Sequence, residues 1–162
     1  MSPASSSRRE PARAREPALN PASCNGLPAV KLKIARVSEL VMGAAVIPVK
    51  VRARGEVVLR ALVDTGFYGD LIARPEAVEG AGVELKHERV RVLPDGGRVS
   101  VKYGVGEVEI EGMVTAADVE VWEGLRTPPG VDALIGNTVL EKLGLRVNPR
   151  TGQLERVELY LL

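Results

Sequence analysis

One cysteine and one histidine in 162 residues remove several kinds of chemistry at once. Cys24 has no partner for an intramolecular disulfide, so nothing in cysteine usage points to an oxidising compartment. With His87 as the sole imidazole, Ser-His and Cys-His catalytic arrangements are excluded unless His87 itself serves, and so are His-rich zinc sites. Aromatic residues make up only 3% of the chain, so Val, Leu, Ile and Ala must fill any core. The formal net charge of +1 gives no electrostatic case for nucleic acid or an anionic membrane as partner. No apolar run reaches the roughly 18 residues that a membrane-spanning helix needs, and no signal-peptide core follows the N-terminal arginines. The expectation is a soluble, cytoplasmic protein without metal or cofactor, and, if it is an enzyme, one that works through carboxylates.

What is present is β-rich. The 24 valines favour strands, because a β-branched side chain is stiff in a helix and packs well on a pleated surface. Residues 1–29 stand apart: five of the eleven prolines lie there, with no aromatic residue. They bury too little apolar surface to offset their ordering entropy and are expected to be a disordered tail. Residues 30–162 are expected to form one domain.

Within it the dominant period is two. AVIPVKVRA and EVVLRALV read as a hairpin turning at Arg54-Gly55, with Pro48 suggesting an edge strand or a bulge. A helical turn from Pro75 to Glu79 is stopped by Gly80 and Gly82. ERVRVL and RVSVKY flank Pro94-Asp95-Gly96-Gly97 and read as a hairpin whose Val90, Val92, Val99 and Val101 share one apolar face. A further hairpin turns near Gly112. NTVLEKLGL reads as a helix, with Thr138 and Glu141 at capping-box spacing and Gly144 as its stop. About eight short strands and one or two short helices suggest a small closed or nearly closed β barrel.

Three features follow one another in the chain: Ala61-Leu62-Val63-Asp64-Thr65-Gly66, the tip Pro94-Asp95-Gly96-Gly97, and Ala133-Leu134-Ile135-Gly136 leading into the helix. Each alone is ordinary. Asp64 taken by itself reads equally as a turn-forming acid at a strand end, and Asp95 as a type I turn former. Together, over roughly residues 42–162, they resemble the retropepsin-like aspartic proteases, the single-domain relatives of retroviral proteases. The resemblance implies an all-β fold, a small closed barrel of the retropepsin type with one short C-terminal helix, assembled as a two-fold homodimer. It implies that Asp64 is the catalytic carboxylate, that the Thr65 hydroxyl bonds across to the partner loop, and that Gly66 brings its backbone N–H close to the carboxylate. It also implies that residues 90–101 are a flap closing over an extended peptide, with Pro94, Asp95, Gly96 and Gly97 at its tip. Two positions depart from the family pattern. Phe67 follows the motif where a small residue is usual, a ring that could reshape the substrate groove, and Asn137 stands where retroviral members often have Arg.

The chain holds no second Asp-Thr-Gly or Asp-Ser-Gly. Acid-pair chemistry needs two carboxylates close enough to share a proton, so the second Asp64 must come from a second chain, and an isologous dimer is the simplest way to supply it. Residues 155–162 would be a hazardous edge if left exposed and are the candidate interface strand. The expected activity is therefore an aspartic endopeptidase acting on peptide or protein substrates. The alternative is an inactive dimerisation or peptide-binding module whose groove Phe67 fills. Asp70, Asp118 and Asp132 read as turn, cap or surface acids, His87 as solvated, and Trp122 as core or groove. Gly104-Val105-Gly106 lacks the third glycine and the following helix of a dinucleotide loop.

Overall fold

The computed structural model describes residues 39–41 and 44–157. The expected disorder of residues 1–29 lies outside them, as do residues 158–162 of the interface strand expected over 155–162, whose Glu155 and Arg156 pair within the chain with Arg146 and Leu145. Among the described residues ten strands form: β1 (Glu39–Val41), β2 (Ala44–Arg52), β3 (Glu56–Val63), β4 (Leu71–Ala73), β5 (His87–Val92), β6 (Arg98–Ile110), β7 (Met113–Val121), β8 (Ala133–Ile135), β9 (Leu145–Val147) and β10 (Leu154–Arg156). Two short helices join them, α1 (Pro75–Val78) and α2 (Asn137–Lys142).

Eight strands make one sheet in the order β1-β2-β3-β8-β4-β7-β6-β5, and β2 also pairs with β6, so the sheet curls until its order returns on itself. The small β9–β10 pair stands apart. Alternation decides the inside. On β2, Ala45, Ile47, Val49 and Val51 are buried, as are Leu59, Ala61 and Val63 on β3. They pack with Leu71, Val119, Ile135, Val139 and Leu140 in one core built almost wholly from aliphatic side chains, each worth about 1.5–3 kcal/mol when fully buried.

Three expectations need correction. Pro48 marks no bulge, although it does lie on an edge: β2 runs beside β3 in unbroken register, with Pro48 opposite Arg60. On its other side β1 ends its pairing at Val46 and β6 resumes at Lys50, so a residue without an N–H sits where that edge is unpaired. The four valines of the β5–β6 hairpin do not share a face. The register sets Val90 opposite Ser100 and Val92 opposite Arg98, whereas Val99 and Val101 lie opposite Arg91 and Arg89. Val90 and Val92 are consequently exposed, at 64% and 67%, while Val101 is fully buried. The five-residue connection, Leu93–Gly97, sets that parity.

Finally, α2 has no capping box. Its N-cap is Gly136, in extended conformation and without a side-chain cap, which places Thr138 inside the first turn. Its end is as expected, with Gly144 at φ +65°, the left-handed position that glycine tolerates. The first helical turn likewise stops at Gly82, φ +64°.

Candidate active site

Parallel pairing of β3 with β8, Val63 opposite Ile135, delivers Asp64 to the end of the sheet. The Asp64 backbone N–H donates to the Ile135 carbonyl (2.9 Å), and Phe67 N–H donates to the Asp64 carbonyl (3.1 Å), closing a turn over Asp64-Thr65-Gly66-Phe67. The Gly66 N–H donates to Asp64 Oδ1 at 2.9 Å. A Cβ on Gly66 would stand 3.3 Å from that oxygen, so the missing side chain is what lets the amide approach closely. Thr65 is exposed, and among the described residues no hydrogen bond to its hydroxyl is formed.

The segment after β8 supports this loop from below. Gly136 N–H donates to the Asp70 carbonyl (3.0 Å) and Asn137 N–H to the Phe67 carbonyl (3.1 Å). The Asn137 side-chain Nδ2 donates to the Thr65 carbonyl at 2.6 Å. Asn137 thus braces the loop directly from the position where an arginine was the family expectation. Gly136 cannot be replaced without moving backbone: a Cβ there would meet the Gly69 carbonyl oxygen at 2.2 Å and that of Phe67 at 2.5 Å.

Asp64, Gly66, Phe67, Pro94 and Asp95 line one cleft of about 920 Å³, together with Ile72, Arg91, Val99, Trp122 and Leu134. Thr65, Gly96 and Gly97 are not part of its lining. The cleft is roofed by the tip of the β5–β6 hairpin, where Leu93 N–H donates to the Gly97 carbonyl (2.7 Å). Asp95 Oδ1 accepts from Gly97 N–H (2.8 Å), as a turn former does, and Gly96 adopts φ +85°. Trp122 belongs to both readings proposed for it: it packs with Ile72, Val101 and Leu125 in a small second core and also lines the cleft.

Sequence reasoning missed the charged layer beneath the hairpin. Glu120, flanked on β7 by Val119 and Val121, is fully buried. Its carboxylate accepts from Arg91 Nε (2.9 Å) and Nη2 and from Arg89 Nη1 (3.1 Å). Arg91 Nη1 donates to the Tyr68 carbonyl (2.8 Å), and its guanidinium carbon stands 5.1 Å from the centre of the Phe67 ring. Arg89 also binds Asp118 Oδ2 at 2.6 Å and lies 3.6 Å over Tyr103. Burial pulls the Arg89 guanidinium down, but hydrogen bonds to Asp118 and Tyr103 and the charges of Glu120 and Asp118 outweigh it, leaving Arg89 above its ordinary value. The only signal for this layer was the register: two arginines opposite two inward valines.

Asp70, expected to be a turn, cap or surface acid, is instead buried, at 4% exposure. Its Oδ2 accepts from Asp118 N–H (2.8 Å) and Lys142 Nζ (2.7 Å), which ties the end of the site loop to β7 and α2. Asp132 Oδ2 accepts from Arg60 N–H (2.9 Å), a bond to β3 and not one within its own turn. His87 is exposed and stacks on Tyr103, ring centres 5.2 Å apart. Among the described residues no group of three or more His, Cys, Asp or Glu is placed to hold a metal ion, and no helix is long and apolar enough to cross a membrane.

This curled sheet, with an Asp-Thr-Gly turn propped by a helix-leading Ile-Gly, defines a class: the chain has the fold of the retropepsin-like aspartic proteases. A crystal structure of a retropepsin-like aspartic protease from Rickettsia conorii is similar to it at 20% identity with a TM-score of 0.53, over 75% of this chain and 88% of that one. The EIAV protease complexed with the inhibitor HBY-793 matches at 16% identity with a TM-score of 0.46, over 77% of this chain and 100% of that one. No protein-family model and no curated protein matches the sequence.

Proposed function

We propose that the chain is an aspartic endopeptidase that works as a homodimer, with one Asp64 from each subunit. The observation that carries this reading is the state of the Asp64 loop. The carboxylate ends a buried strand, lines the roofed cleft and accepts from Gly66 N–H, while the Asp64 backbone N–H donates to the Ile135 carbonyl and Asn137 donates to the Thr65 and Phe67 carbonyls of the same turn. It lines that cleft without a basic partner among the described side chains. An acid built into a rigid loop and left free for a partner is what a shared dyad requires.

In the dimer the two Asp64 carboxyls lie at hydrogen-bond separation and share one proton, because two like charges so close cannot both ionise. The ionised member takes a proton from a water between them while the protonated member polarises the scissile carbonyl. The exposed Thr65 hydroxyl is free to bond across to the partner loop. The β5–β6 hairpin acts as a flap, its Gly-rich tip moving to admit an extended peptide that adds to the cleft by strand pairing. Phe67, Pro94 and Asp95 line the cleft and face the substrate, and Gly96 and Gly97 complete the flap tip that closes on it. The lone cysteine and near-neutral charge support a cytoplasmic protein acting on peptides rather than nucleic acids.

Incubation of purified protein with a peptide library from acidic to neutral pH, beside Asp64→Asn, tests the reading. Cleavage by wild type and none by the variant is expected; equal cleavage by both sinks it. Consistent absence of cleavage by both would favour the inactive peptide-binding module.

A further inference from the structure

The Phe67 ring is not free to swing. A Cβ on Gly69 would come within 2.4 Å of its Cζ and 2.7 Å of Arg91 Nη2, and a Cβ on Gly136 within 2.8 Å of its Cδ1. The ring is therefore seated against two glycines, with the Arg91 guanidinium across its face. Arg91 in turn is held from behind by the fully buried Glu120, through a two-pronged contact that fixes both position and plane. Its remaining nitrogen reaches the Tyr68 carbonyl, one residue beyond Phe67. One side chain of the hairpin thus touches the site loop twice and the barrel wall once.

From this geometry we infer that Arg91 is a positioning residue of the site. With Glu120 it latches β5, just below the hairpin tip, to the loop carrying Asp64, and it holds the Phe67 ring as a fixed wall of the substrate cleft. The inference rests on the hydrolytic reading for its kinetic consequence and on the geometry alone for its structural one. With the hairpin anchored at Arg89 and Arg91, opening is confined to Leu93–Gly97. Asp64 itself is held by bonds that do not involve Arg91, to Ile135, Gly66 and the Asn137-braced turn. Loosening the latch therefore disturbs substrate binding more than the acid that does the chemistry. It also explains how a phenyl group can follow Asp-Thr-Gly without being left loose in the cleft.

The test compares the full chain with Arg91→Lys, which keeps the charge but loses the fork, and with Glu120→Gln, which keeps an acceptor but loses the charge. Arg91→Lys is expected to raise backbone hydrogen exchange in residues 64–69 and 87–92 about tenfold, with exchange in the β2–β3 hairpin unchanged. Acrylamide quenching of Trp122, the only tryptophan, is expected to increase with it. On a peptide substrate KM rises about tenfold while kcat stays within about threefold of wild type. Glu120→Gln shifts the same readouts in the same direction by less. Unchanged exchange in both segments overturns the latch. Raised exchange with unchanged KM, or a fall in kcat as large as the rise in KM, overturns the positioning role. If the wild-type chain cleaves no peptide the hydrolytic reading fails separately, and the exchange comparison still decides the latch.

Discussion

Phe67 and Gly69 fit one another: a Cβ on Gly69 would lie 2.4 Å from the ring's Cζ and 2.8 Å from its Cε2. The aromatic residue that replaces a small one after Asp-Thr-Gly is accommodated by removing a side chain two residues later. The pair predicts a specific coupling. Gly69→Ala overpacks this corner and is expected to cost about 1–3 kcal/mol. In a Phe67→Ala background the two ring contacts are gone and only Arg91 Nη2, 2.7 Å away, still meets the added methyl, so part of that cost disappears. Urea unfolding of the four proteins in a double-mutant cycle measures the coupling; additive costs would separate the two residues.

Asn137 is expected to matter more for rate than for stability. Its side chain contributes one bond, Nδ2 to the Thr65 carbonyl, and alanine is a good helix former at this first-turn position. Asn137→Ala should cost about 1 kcal/mol of stability but lower kcat about tenfold, since small misplacements of a reacting group are expensive. Steady-state kinetics beside thermal unfolding checks the split.

The buried Asp70 carboxylate depends on Lys142. Lys142→Met leaves Asp70 with only the Asp118 N–H on its Oδ2, and the loss of a partner to a buried charge is expected to cost about 1–3 kcal/mol. Adding Asp70→Asn should recover part of it, because an amide oxygen still accepts from Asp118 and needs no counter-charge. Denaturant midpoints of the single and double variants decide this.

Among the described residues acid sensitivity has one marked contributor at the turn end of the β2–β3 hairpin. The hydrogen bond from Arg52 holds the Glu56 carboxyl below its ordinary value of 4.5, with Lys50 adding to the effect and partial desolvation opposing it. A carboxyl depressed in the folded state stabilises while ionised, so its contribution is present above that ordinary value and fades as pH falls through the lower folded one. Glu56→Gln should therefore lower Tm slightly at neutral pH, and the difference from wild type should narrow as the pH falls below that ordinary value. A constant difference across that range would assign it to packing instead.

Much of this was legible from single residues, and the reason is local chemistry. Turn glycines at 96, 112 and 144 and the period-two valines report on their own backbone, so the hairpins and the end of α2 could be read directly. Asp64, Gly66 and the Ile135-Gly136 step were legible as a constellation, and the structure brings them together. What the sequence concealed depends on register and on distant pairing. Val90 and Val92 look inward by alternation, yet a five-residue connection turns them out and turns Arg89 and Arg91 in. Glu120 reads as an exposed alternate of β7 until those arginines are placed over it. Gly136, not Thr138, is the N-cap of α2, and two carbonyls of the 67–69 segment leave no room for a side chain there.

The central claim is that one active site needs Asp64 from two chains, and subunit mixing tests it most directly. Wild type and Asp64→Asn, co-refolded in equal amounts to randomise pairing, should retain about one quarter of the wild-type activity per site, because only wild-type pairs carry two carboxylates. Across mixtures, activity should follow the square of the wild-type fraction. Activity proportional to the wild-type fraction, about one half at equal mixing, would show that each chain works alone and would contradict the shared dyad.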